Sequence, residues 1–157
     1  MKVYFALLIV LVVGCAKGTG TGNPYSDSTP ASGTTPLPVP ANSVSGDVFI
    51  NVCMNIQRCH PEVTADVCDS AIENMTTFGA KLGLGLTSTT TVAIIIAGEA
   101  DGSLAANMNP GLACVSALSA LSCSDPSMAA AYDSTSVTPF VNAPNILDPV
   151  CEQVFGP

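Results

Sequence analysis

Apolar and polar residues follow three different patterns along the chain, and each predicts a different kind of segment. Val3 to Val13 is an unbroken apolar run behind a single charge at Lys2. It is too short for a membrane-spanning helix, which needs about 20 apolar residues, and it has the length of a signal-peptide core. From Ala16 to about Ser45 periodicity disappears. Gly-Thr repeats lead into prolines at 24, 30, 36, 38 and 40, a composition that excludes a helix and predicts a flexible, partly polyproline-like tether. As a coil, about 30 such residues span roughly 30 Å.

Helical spacing begins after Ser45-Gly46-Asp47. Phe49, Val52, Cys53 and Ile56 recur every three or four residues, which predicts a short helix to about Arg58. His60-Pro61 ends it, and Pro61 is placed to open a second helix with Glu62 in its first turn. Val63, Val67, Ala71 and Met75 form the apolar stripe of that helix, which is expected to run to about Phe78 and to stop near Gly79 or Gly83-Leu84-Gly85. The sequon Asn74-Met75-Thr76 falls on it. Residues 87–97 are ambiguous between helix and strand. Six consecutive apolar residues, Val92 to Ala97, carry no period, and the helical neighbours favour a helix capped by Ser88 or Thr89. Asn109-Pro110 is expected to cap a helix with Cys114, Leu118 and Leu121 on one side, ending at Ser122. Asp125-Pro126 opens a short helix to Tyr132, and Ile146 to Phe155 makes a last one. The fold class is therefore all-α: a small disulfide-stabilised helical bundle after a disordered tether.

The cysteines decide how that bundle is held. Seven stand at 15, 53, 59, 68, 114, 123 and 151. With Cys15 set apart, Cys53, Cys59, Cys68, Cys114, Cys123 and Cys151 form an even set, read as up to three disulfides of an exported domain. Zinc sites show close Cys pairs two to four residues apart, and none occurs here. The first two helices form an αα-hairpin about His60-Pro61, and Cys53 and Cys68 lie equally far from that turn, so Cys53–Cys68 is the favoured bridge. Cys114 and Cys123 do not pair on one continuous helix, where they would stand about 13.5 Å apart.

Leu11-Val12-Val13-Gly14-Cys15 resembles the lipobox of bacterial lipoproteins, with Gly14 as the small residue before the lipidated cysteine. The resemblance implies cleavage before Cys15 and acylation of that residue, hence stable anchoring by two or more chains. It divides the chain into a signal peptide, 1–14, a lipidated tether, 15–45, and a Cys-rich helical domain, 46–157. Ala16 in place of aspartate resembles proteins sent on to the outer membrane, with the domain on its periplasmic or surface face. Gly98-Glu99-Ala100-Asp101-Gly102 and the segment Ala113 to Cys123, with Cys53 to Cys68, also resemble Cys-rich lipoproteins of myxobacteria and their relatives. That likeness implies a helical disulfide fold and carries over no activity.

Charge and side-chain chemistry narrow the function. The net charge is −8, and a surface this acidic repels phosphate backbones and anionic headgroups. No nucleic-acid partner is expected, and the membrane is reached through the N-terminal lipid. The only histidine is His60, expected as a turn residue, so a His–carboxylate–Ser triad would rest on it alone. Glu99 and Asp101 have too few neighbouring ligands for a calcium loop and read as a helix end and turn. Gly83-Leu84-Gly85 lacks the rest of a dinucleotide fingerprint and reads as a turn. No catalytic residue, metal or cofactor is expected. The function expected is a non-enzymatic envelope lipoprotein, its partner an unidentified protein or a small apolar ligand. An enclosed cavity would make it a lipid or apolar-ligand carrier. A compact core with exposed apolar side chains would make it an adhesion or partner-binding module.

Overall fold

The computed structural model describes residues 43–147 and 149–157, and Cys15, the leader and most of the tether lie outside them. The described residues form six α-helices and two short 3-10 helices without a strand, the expected all-α, disulfide-linked bundle. Helix α1, Val44–Cys59, is its axis and packs against each of the other five. Val48, Phe49, Val52, Cys53 and Ile56 turn one stripe inward, all at most 1% exposed. The ring of Phe49 meets that of Phe78 edge-on at 5.4 Å. α1 begins earlier than expected: Ser43 is its N-cap, accepting a bond from the Gly46 amide at 2.9 Å. Residues 43–45, assigned to the tether by composition, therefore belong to the domain.

The second helix departs from the prediction in start, phase and length. Pro61-Glu62 form a turn closed by Val63 N–H donating to the His60 carbonyl at 2.9 Å. α2, Ala65–Ile72, is instead capped by the Thr64 hydroxyl. That start places Cys68 and Ile72 fully inward; of the expected stripe Val63 is buried and Ala71 and Met75 pack against the core, whereas Val67 is 52% exposed. α2 does not continue to Phe78. The carbonyls of Glu73 and Met75 accept from the amides of Ala93 and Val92, and after this break α3, Thr77–Lys81, starts anew. A helix can stop there because another helix's unpaired first-turn amides satisfy its carbonyls. Asn74 lies in the break, not on a helix.

Residues 87–97 are helical only from Val92. α4, Val92–Asp101, is capped by Thr91 rather than Ser88 or Thr89, and ends at Gly102 in the left-handed region, φ 78°. α5, Met108–Ala120, is preceded by Asn107, not Asn109, and stops before Leu121. Pro110 is its third residue, which costs no bond because first-turn amides have no partner inside the helix. Asn107 is drawn away from capping: its side-chain amide donates to the Gln153 and Gly156 carbonyls, both at 2.9 Å. Gly111 lets α5 approach the start of α1, since a Cβ there would stand 2.0 Å from Val44 Cγ1. α6, Pro126–Ala130, carries the expected Asp125 cap and ends before Tyr132. The last expected α-helix is replaced by 3-10 helices at Ala143–Ile146 and Pro149–Gln153. Pro149 removes an amide that a continuous helix would use.

Candidate functional site

Three disulfides frame the domain. Cys53–Cys68 joins α1 to α2 with Cα atoms 5.7 Å apart, the pair that equal distance from the hairpin turn favours. Cys59–Cys123 ties the end of α1 to the segment between α5 and α6, and Cys114–Cys151 ties α5 to the second 3-10 helix. All six domain cysteines are consumed, so none remains as a thiolate for zinc or for nucleophilic attack. Among the described residues no group of three or more His, Cys, Asp or Glu side chains converges on a possible metal position.

The side chains with most chemistry gather at the α1–α2 turn. His60, Glu62, Tyr132, Asp133, Ser134 and Asn142 line an open groove of about 400 Å³. His60 Nε2 lies 3.3 Å from the Met128 carbonyl, and Nδ1 lies 3.8 Å from Glu62 Oε1. A carbonyl only accepts, so the neutral imidazole carries its proton on Nε2. Its ring packs edge-on against Tyr132 at 5.4 Å, and Tyr132 leans on Phe140 at 5.1 Å. His60 is thus committed to holding α6 against the turn, which agrees with the turn role expected of it. Asp133 is committed too: its carboxylate accepts from Thr135 and sits below its ordinary range because of those bonds. The groove offers polar surface, not an assembled acid–base pair.

A second cluster was not legible in the sequence. Glu99, in the last turn of α4, places its carboxylate at the N-terminus of α1. It accepts from the Val44 amide at 2.6 Å, the Ser45 amide at 2.9 Å and the Ser43 hydroxyl at 3.0 Å, and also from the Ser45 hydroxyl. Ser43 and Ser45 are buried. A negative charge here satisfies orphan amides and complements the positive end of the helix dipole. Asp47, one turn on, has its carboxyl raised by burial and then by the Glu99 charge. The only signal was an acid near the end of an apolar helix, and no spacing rule links it to a serine 56 residues away. Asp101 does mark the expected turn, accepting from the Ser103 amide at 2.9 Å. Glu99→Ala takes the acceptor from the Val44 and Ser45 amides and from two serine hydroxyls, and is expected to cost about 2–3 kcal/mol in urea-induced unfolding. A loss under about 0.5 kcal/mol would show that water replaces the carboxylate freely.

Asp69, on α2, is the most perturbed acid. Burial, then the charge of Asp66, raises its carboxyl from 3.8 to about 6. A folded-state value above the unfolded one means that the folded domain binds the proton more tightly. Stability therefore rises as pH falls through 6 toward 4 and is lost again as pH rises. Partial exposure screens the effect to on the order of 1 kcal/mol. Asp69→Asn should stabilise the domain by that amount near neutral pH and have little effect at about pH 4. Thermal unfolding across the range checks it, and an unchanged pH profile would contradict it.

The chain matches no protein-family model, no curated protein and no solved structure.

Proposed function

We propose that this protein is a bacterial envelope lipoprotein, cleaved before Cys15 and lipidated there, whose helical domain serves a binding or structural role and not a catalytic one. The observation that carries the reading is Leu11-Val12-Val13-Gly14-Cys15 at the end of the apolar run behind Lys2. Three disulfides in one small domain support it, because such bonds persist in oxidising compartments outside the cytosol. Among the described residues no helix is long and apolar enough to cross a membrane, so the proposed attachment is the lipid. The proposed spacer between lipid and domain is residues 16–42. The proposed address is the outer membrane.

Within this reading, a protein partner is favoured over a carried lipid. Two concavities are open grooves, one lined by His60, Tyr132 and Asn142 and the other by Asn107, Met108 and Gln153. Met108 and Leu112, one turn apart on α5, are 55% and 61% exposed. Apolar side chains at such spacing suit a contact surface better than a chamber.

The test is the intact mass of the native, membrane-extracted protein, alkylated without reduction. A polypeptide beginning at Cys15 with acyl chains and no alkylated cysteine is expected. An unlipidated N-terminus would replace this reading with a secreted soluble protein. The Cys15→Ser variant should leave the membrane fraction.

A further inference from the structure

The three disulfides are not equally protected. Cys53, Cys68, Cys114 and Cys151 are all 0% exposed, within the core. Cys59 is half-buried and Cys123 is exposed, in the turn between α5 and α6. We propose that Cys59–Cys123 is a thiol-exchange site, opened selectively by a small thiol while the other two bridges persist.

Exchange needs a thiolate to reach a sulfur in line with the bond it breaks, so access ranks the three bridges. The attacking thiolate bonds to Cys123 Sγ, the bond between Cys59 and Cys123 breaks, and its electron pair leaves on Cys59 Sγ, which takes a proton from water. A second thiol then attacks the mixed disulfide, releasing the oxidised small disulfide and the Cys123 thiol. The two electrons come from the small thiols. Reaching either buried pair requires the core to open first, a step whose population falls steeply with local stability.

The surroundings show what the bridge controls. The Arg58 guanidinium donates to the Leu121 carbonyl, and His60 contacts the Met128 carbonyl and Tyr132. With Cys59–Cys123, these contacts form the seam between the end of α1 and the α5–α6 segment. The bridge is the seam's only covalent link, closing a sequence separation of 64 residues. Opening it leaves α6 held beside the His60 groove by these contacts and by the burial of Met128 and Ala131 in the core, without a covalent tie to α1. Cys53–Cys68 joins α1 to α2 and Cys114–Cys151 joins α5 to the second 3-10 helix, so neither spans this seam.

The test incubates the folded protein with reduced glutathione, quenches with acid, alkylates and maps the peptides without reduction. Glutathione or alkyl adducts are expected on Cys59 and Cys123 at a rate on the order of tenfold or more above the other four cysteines. Adducts on all six at one common rate, or first on a buried pair, would overturn the proposal. The double variant Cys59→Ser/Cys123→Ser supplies the second arm. Its four remaining cysteines should resist the same glutathione. Their reaction at the rate wild-type Cys123 shows would also overturn the proposal, because their protection would then depend on the exposed bridge.

Discussion

Removing the Cys114–Cys151 bridge by replacing both residues with alanine is expected to lower the unfolding free energy by about 4–5 kcal/mol. The bond closes a sequence separation of 37 residues, for which the loss of chain entropy in the unfolded state alone amounts to about 4 kcal/mol. Both sulfurs are fully buried, so alanine also leaves a void between α5 and the second 3-10 helix, adding roughly 1 kcal/mol. A domain of this size has about 5–15 kcal/mol in total, so the variant should be marginal at physiological temperature. Equilibrium unfolding in guanidinium under non-reducing conditions measures the difference. A loss below about 2 kcal/mol would mean that α5 and the C-terminal segment stay together in the unfolded chain without the bond.

Gly83→Ala is expected to cost about 3–4 kcal/mol, while Gly85→Ala, two residues on, costs only about 1 kcal/mol. Both glycines have φ in the left-handed region, 94° and 91°, so a new Cβ is strained at both. Their surroundings differ. A Cβ on Gly85 meets nothing within 4 Å, whereas on Gly83 it would stand 2.1 Å from the Glu152 carbonyl oxygen and 2.6 Å from the Gly156 nitrogen. Both obstacles are backbone and cannot rotate away, so the C-terminal segment must lift. Lifting it strains the Phe155 amide bond to the Leu82 carbonyl, 2.8 Å, and the two bonds from Asn107. Thermal unfolding of the two variants side by side checks the difference. Equal losses would show that strain acts alone and that the tail yields without cost.

The errors in the sequence reading have one local cause and several long-range ones. Pro61 suits the first position of a helix, yet Thr64 offers a hydroxyl to an orphan amide and the helix starts there. That shift changes which residues face inward, since each residue is displaced by about 100° from the last. Val67 is therefore exposed where the stripe placed it inside. The break after Ile72 has no local cause. It is stabilised by amides at the start of α4, some twenty residues along. The C-terminal 3-10 helices likewise follow from Cys151 reaching Cys114 and from Asn107 holding the Gln153 and Gly156 carbonyls.

Of the candidate residues, Cys53–Cys68 was legible because a hairpin turn makes its geometry local. Cys59–Cys123 and Cys114–Cys151 were not. Closing a loop costs only about 0.6 kcal/mol more for each doubling of its length, so spacing hardly discriminates among distant partners. What the sequence by itself determined was therefore local: helical class from the apolar period, the Asp125-Pro126 start of α6, an even set of domain cysteines, and the Leu11–Cys15 motif. Only the tertiary structure decided the two long-range bridges, the seat of Glu99 on α1 and the exposure of Cys123. Those depend on which faces meet once the helices pack, and side chains far apart in the chain carry no record of that meeting in their spacing.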